Sequence, residues 1–84
     1  MTKIIFSKHA LLQMEERGAL KEEVIAAIES GEKAPAKKGR YAFRLNFQYN
    51  GKWGGRHYRI KQVMPIVREK AKEMNVITVY VFYF

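Results

Sequence analysis

The chain holds two histidines, His9 and His57, and each stands near arginine. Arg17 closes the stretch "FSKHALLQMEERG" that His9 opens, and Arg59 and Lys61 follow His57 in "RHYRIKQV". Histidine gives and takes protons near neutral pH. Arginine stabilises the charge that develops on a phosphate. These are the parts of metal-independent RNA cleavage. A base removes the 2′-hydroxyl proton, that oxygen attacks the adjacent phosphate, and an acid protonates the leaving oxygen. Two histidines sharing one phosphate must lie within about 12 Å of each other, given the hydrogen-bond reach that proton transfer demands. Other chemistries find less support. The sequence has no cysteine and no cluster of His and carboxylates at metal-ligand spacing, so neither a metal nor another cofactor is expected. "GKWGG" lacks the spacing of a phosphate-binding P-loop, and no Ser-His-Asp pattern is evident.

Charge points the same way. The net charge is +8, but residues 1–30 carry four Lys/Arg against five Glu, and residues 31–84 carry twelve Lys/Arg against three Glu. All the positive excess lies in the second part, as it does in chains that meet a polyanion such as nucleic acid. The 84 residues suit a single domain spanning 1–84. The opening "MTKIIFSKHALL" lacks the apolar run of a signal peptide, and the longest apolar run, "VITVYVFYF", is too short for a membrane helix. A cytoplasmic protein without membrane contact is expected.

The elements that must position these residues follow from periodicity. "KIIF" is a short β-prone start. Ser7 suits the N-cap of a helix from Lys8 to Arg17, with Ala10, Leu11 and Met14 on one face and Gly18 ending it. At 3.6 residues per turn His9, Gln13 and Arg17 share the opposite flank, within about 80°. A second helix spans Lys21 to Ser30, with Glu22 and Glu23 in its first turn and Gly31 closing it. "EKAPAKKG" reads as a polar connector. Then the period becomes two: "RYAFRLNFQYN" is a half-buried strand, Asn50–Gly51 a hairpin signal, and Gly54–Gly55 a bulge or wider loop. "RHYRIKQV" alternates again, and Pro65 argues for a strand edge or bulge. "PIVREKAKEMN" reads as a strand and hairpin connection in preference to a helix begun by Pro65. "VITVYVFYF" is the final strand. The expected fold class is α+β: two N-terminal helices packed on one face of a three- to four-stranded twisted antiparallel sheet.

If Phe43, Leu45, Ile60, Ile77 and Val79 face the helices, the alternate residues face away. These are Arg40, Arg44, Asn46 and Gln48, then His57, Arg59 and Lys61, then Thr78 and Tyr80. A solvated sheet face is ordinary; its bias towards cations is what suggests RNA. Lys and Arg would neutralise phosphates, and Tyr80, Trp53 or Phe82 would stack on an unpaired base.

The stretch "FSKHALLQMEERGALKEEVIAAIESGE" also resembles the opening of a widespread bacterial and archaeal family of domains of unknown function. Its pattern is a short strand, S-x-H-A, then M-x-x-R-G, then a helix with E-x-V and a closing glycine; "VITVY" resembles its terminal strand. That family is similar to the RelE/ParE toxins and the wider barnase–colicin-like ribonuclease fold. The resemblance implies two N-terminal helices on a twisted antiparallel sheet. It also implies a toxin of a type II toxin–antitoxin pair, a metal-independent endoribonuclease acting on mRNA, free or at the ribosome, with a protein antitoxin as partner. His9 and Arg17 match the family's recurrent H and R, and Thr78 and Tyr80 its terminal T-x-Y; Leu20 departs from the small hydroxyl residue often seen there. Together these readings make His9, His57 and Tyr80 the catalytic candidates. Arg17, Arg40, Arg44, Arg59, Lys61 and Thr78 are the RNA contacts. A nucleic-acid-binding module without chemistry and a protein-interaction domain of the same fold are the rivals.

Overall fold

The computed structural model describes residues 2–84. Strand β1 (Lys3–Phe6) leads into helix α1 (Lys8–Arg17) and helix α2 (Lys21–Ser30). Strand β2 (Glu32–Pro35) and a 3-10 turn at Lys37–Gly39 precede three longer strands, β3 (Tyr41–Trp53), β4 (Arg56–Lys70) and β5 (Glu73–Tyr83). Among the described residues no helix is long and apolar enough to cross a membrane.

The helices end where local chemistry says they must. The Ser7 side chain accepts from the Ala10 N–H, and Gly18 takes a left-handed conformation as α1 stops. Leu20 has no side chain to cap α2. Glu23 reaches back instead and accepts from the Leu20 N–H at 2.9 Å.

The sheet corrects the expected fold class. It is five-stranded and mixed, in the order β1-β5-β4-β3-β2, not a three- or four-stranded antiparallel sheet. β1 runs parallel to β5, pairing Lys3–Phe6 with Glu73–Val76. β2 is an outer strand paired antiparallel with Glu32 opposite Arg44 and Pro35 opposite Tyr41. Its polarity and its proline read as connector but are what an edge strand tolerates. The hairpin signals also exchange places. The chain reverses at Gly54–Gly55, both at positive φ, as a two-residue turn between Trp53 and Arg56 needs. Asn50, at φ 47°, instead sits in a bulge: β3 residues Tyr49 and Asn50 intervene where β4 supplies only Arg59. Pro65 lies buried in the interior strand β4, opposite Val79. Its missing N–H coincides with the break in the β3–β4 ladder between Ala42↔Ile66 and Leu45↔Val63. The strand reading of residues 65–75 holds, with the turn at Ala71–Lys72.

One irregularity sets the phase of β5. Ile66 pairs with Thr78, but the next β4 residue, Val67, pairs with Val76, so Ile77 is an extra residue. The bulge puts Val76 and Val79, three apart, on the same face, where both are fully buried. They join Val63, Val67 and Phe43 of the sheet and Ala10, Met14 and Val24 of the helices in one core. α1 packs on β5, and α2 packs on β3 and β4. Ile77, expected inward, is the bulged residue and is only half-buried.

Gly18 shows how tightly the hairpin tip closes on α1. At φ 79°, a Cβ there would stand 2.8 Å from Trp53 Cζ3 and 2.8 Å from Tyr83 Oη. Gly39 has a similar φ of 71° but open space around it. Gly18→Ala should therefore cost about 3 kcal/mol, combining left-handed strain with overpacking, and Gly39→Ala about 1 kcal/mol. Urea denaturation of the two variants checks this; equal losses would mean that Trp53 and Tyr83 yield without cost.

Candidate nucleic-acid interface

Because Ile77 is bulged, Thr78, Tyr80 and Phe82 point away from the helices. They lie opposite Ile66, Met64 and Gln62 of β4. Asn46 of β3 faces the same way and accepts from the Gln62 amide at 2.8 Å, and Arg44 lies exposed two residues from it. The segment Ala36–Arg40 curls over one end of this open face. Left-handed backbone at Lys38 (φ 61°) and Gly39 (φ 71°) makes the curl. Beneath it lies a cleft of about 330 Å³, lined by Lys37, Lys38, Arg40, Ile66, Thr78 and Tyr80. The Arg40 Nε is buried with no hydrogen-bond partner among the described residues. A second, broader cleft of about 620 Å³ also opens on the face, with Arg44, Tyr58, Gln62, Met64, Phe82 and Phe84 in its lining. Among the described residues no Asp or Glu side chain lines either cleft.

α1 reaches this face along the edge of β5. β1 pairs with β5 only as far as Val76, so the carbonyls beyond need other partners. Ser7 Oγ donates to the Ile77 carbonyl at 3.1 Å, and Arg17 Nη1 donates to the Val79 carbonyl at 2.8 Å. The same Arg17 nitrogen donates to Gln13 Oε1 at 2.7 Å, and Gln13 Oε1 also accepts from the Thr78 hydroxyl. The Arg17 guanidinium stands 5.2 Å over the Tyr80 ring. Thus one face of α1 carries a chain of polar contacts from Arg17 through Gln13 to Thr78, and orients Tyr80.

The structure brings Arg17, Arg40, Thr78 and Tyr80 together, with Arg44 exposed on the same face of the sheet. It separates the rest. His9 is exposed in the first turn of α1, near Ser7 and Ile77. His57 is exposed beside the β3–β4 turn, opposite Lys52. Ile66, across from the bulge, and His57 are nine residues apart on one strand, roughly 30 Å at the usual rise. The two histidines cannot share one phosphate. Lys61 is 5% exposed and lies under the helices, not on the open face. Its ammonium donates to Glu23 Oε1 at 2.7 Å and to the Gly18 carbonyl. The phase of β4 is set by Val63 and Val67, so Lys61 points inward and Ile60 outward, the reverse of the expected register. Arg59 lies exposed, two residues from Lys61 and in the same phase. Trp53 is engaged in packing: its indole stacks on Tyr83 at 4.9 Å, with the planes 13° apart. Lys37 and Lys38 went unread because the connector gave no sign of folding back over the sheet. Gln13 had a signal in its spacing of four from both His9 and Arg17.

No family model, curated protein or solved structure matches this chain.

Two contacts beneath the face invite measurement. Glu23→Ala strands the buried Lys61 ammonium and should cost about 3 kcal/mol in a denaturant titration; replacing both partners, as Glu23→Leu with Lys61→Met, should recover most of it. Tyr83 donates to the Arg17 carbonyl at 2.7 Å. Burial, with Tyr49 and Glu23 nearby adding to it, pushes its phenol up from 10.0 to about 12. The folded state then keeps a proton that the unfolded chain releases from about pH 10 upward. Stability from this group is complete below pH 10 and drains away as pH rises towards 12. The difference in melting temperature between the protein and its Tyr83→Phe variant should shrink across that window; a constant difference would mean that the phenol titrates alike in both states.

Proposed function

We propose that this chain is an RNA-binding domain that seats a backbone phosphate in the cleft beneath Lys37–Arg40. One observation carries the reading. Lys37, Lys38 and Arg40 line a concave site with Thr78 and Tyr80, Arg17 stands over the tyrosine, and no acidic side chain among the described residues is in the lining. Three cations held around so small a volume repel one another and favour an anion between them. Arg40, in the lining of the cleft, brings guanidinium donors for a phosphate oxygen. The concentration of positive charge in residues 31–84 supports the same partner at longer range.

A second reading follows from the placement of Tyr80. In the toxin-like endoribonuclease implied by the sequence resemblance, the proton-transfer group at this cleft is Tyr80, not a His9–His57 pair. The 2′-oxygen would give up its proton, bond to phosphorus, and expel the 5′-oxygen, which takes a proton as it leaves. Arg17 and Arg40 would meet the charge on the phosphate oxygens.

Binding is tested by titrating labelled RNA at several salt concentrations. Affinity should fall steeply with salt. Changing Lys37, Lys38 and Arg40 together to Ala should flatten the log–log slope by about 0.7–0.9 for each phosphate that is no longer neutralised. An unchanged slope would place the RNA elsewhere. In the same tubes, with EDTA present, Tyr80→Phe should slow cleavage about 100-fold while affinity holds; equal rates in the two proteins would remove Tyr80 from the chemistry.

A further inference from the structure

Tyr80 and Phe82 project from the same face of β5, two residues apart. Both are large and apolar, yet they remain 41% and 43% exposed. Their rings are nearly parallel, 17° apart, with centroids separated by 6.5 Å. Rings in full contact lie closer, as Trp53 and Tyr83 do in this protein at 4.9 Å and 13°. Two part-exposed rings set nearly parallel on one face of a strand offer a base a flat surface to stack on. Arg17, 5.2 Å from the Tyr80 centroid, holds that ring in place before any ligand arrives.

We infer that the RNA of the reading above is bound single-stranded, with one unpaired base stacked on the exposed rings of Tyr80 and Phe82; the inference rests on that reading. The surroundings suit a nucleotide in both its parts. Met64 and Gln62, the β4 partners of Tyr80 and Phe82, lie beside the two rings on the same face. Gln62 gives an amide N–H to Asn46, which leaves the Gln62 carbonyl oxygen and the Asn46 amide N–H groups to meet the edge of a base. Arg44 lines the cleft beside Phe82, and Arg40 lines the one beside Tyr80, so cations stand on either side for the flanking phosphates. A base inside a duplex offers neither of its faces, and extruding it costs a few kcal/mol. The face therefore selects for strands whose bases are already free. Stacking recognises the flat surface that every base has, and the preference among bases should be slight.

The experiment uses a short RNA carrying one 2-aminopurine, presented alone or annealed to its complement. Alone, it should bind with quenched fluorescence; annealed, it should bind at least tenfold more weakly and without quenching. Phe82→Leu keeps an apolar side chain but no ring, and should lose about tenfold in affinity together with the quenching. Phe82→Trp should retain both, and melting curves confirm that each variant is folded. Arg40→Ala should weaken binding yet leave the quenching at saturation intact. If both RNA forms bind equally, and Phe82→Leu matches the parent while the cation variants still flatten the salt slope, the RNA lies on the face without stacking a base on these rings; the inference fails and the binding reading stands. If no RNA form binds with salt dependence, both fall together.

Discussion

The constraint on which this structure turns is the unpaired edge of β5. That strand carries two of the fully buried valines and sits second in the sheet, but its outer neighbour β1 is only four residues long. Beyond Val76 the backbone of β5 would present bare carbonyls at the sheet margin. α1 answers this with side chains: Ser7 at its N-cap takes the Ile77 carbonyl and Arg17 in its last turn takes that of Val79. Tyr83 closes the arrangement by donating to Arg17's own carbonyl. A helix thereby covers what a strand otherwise would, and the edge is closed to pairing with another chain along that stretch. The same docking puts Gln13 and the Arg17 guanidinium against Thr78 and Tyr80, so edge protection and the proposed site are built by the same residues.

How much of this was legible in the sequence depended on how local the cause was. Both helices could be read because Ser7, Gly18, Glu22 and Glu23 act within a turn of themselves. The strands β3 and β5 could be read from alternation. What failed was decided by distant partners. The pairing of β1 joins Lys3 to Glu73 and leaves no mark in a four-residue run. Asn50–Gly51 and Gly54–Gly55 are both turn signals, and the choice between them depends on how β3 and β4 register over their whole length. Lys61 and Ile60 differ by one position, and Val63 and Val67 outweigh them in setting which points inward. A buried lysine is tolerated here only because Glu23, from another element, waits for it.

The site shows the same division. Arg17, Thr78 and Tyr80 were legible because helix and strand periodicity place them, and the structure gathers them. His9 and His57 were grouped by chemical type alone, with no element linking them, and they stand at opposite reaches of the molecule. Lys37 and Lys38 lay in a stretch whose polarity suggested solvent; two consecutive left-handed residues, Lys38 and Gly39, bend it back over the sheet instead. An open sheet face bearing Tyr80, Phe82 and Phe84 would invite self-association if it were bare. Arg40, Arg44 and the lysines of the curl set like charges around it, and two copies approaching through this face would repel.

The parallel pairing of β1 with β5 also imposes an order on folding. The β3–β4 and β4–β5 hairpins close through two-residue turns and can form as soon as their own residues meet. β1 has no strand to join until β5 is in place, and joining it closes a loop of nearly the whole chain. The first strand in sequence thus joins the sheet only after the last. Opening either short outer strand, β1 or β2, breaks one four-residue ladder and leaves the three long strands paired. Amide exchange at both margins should therefore run ahead of exchange in β4.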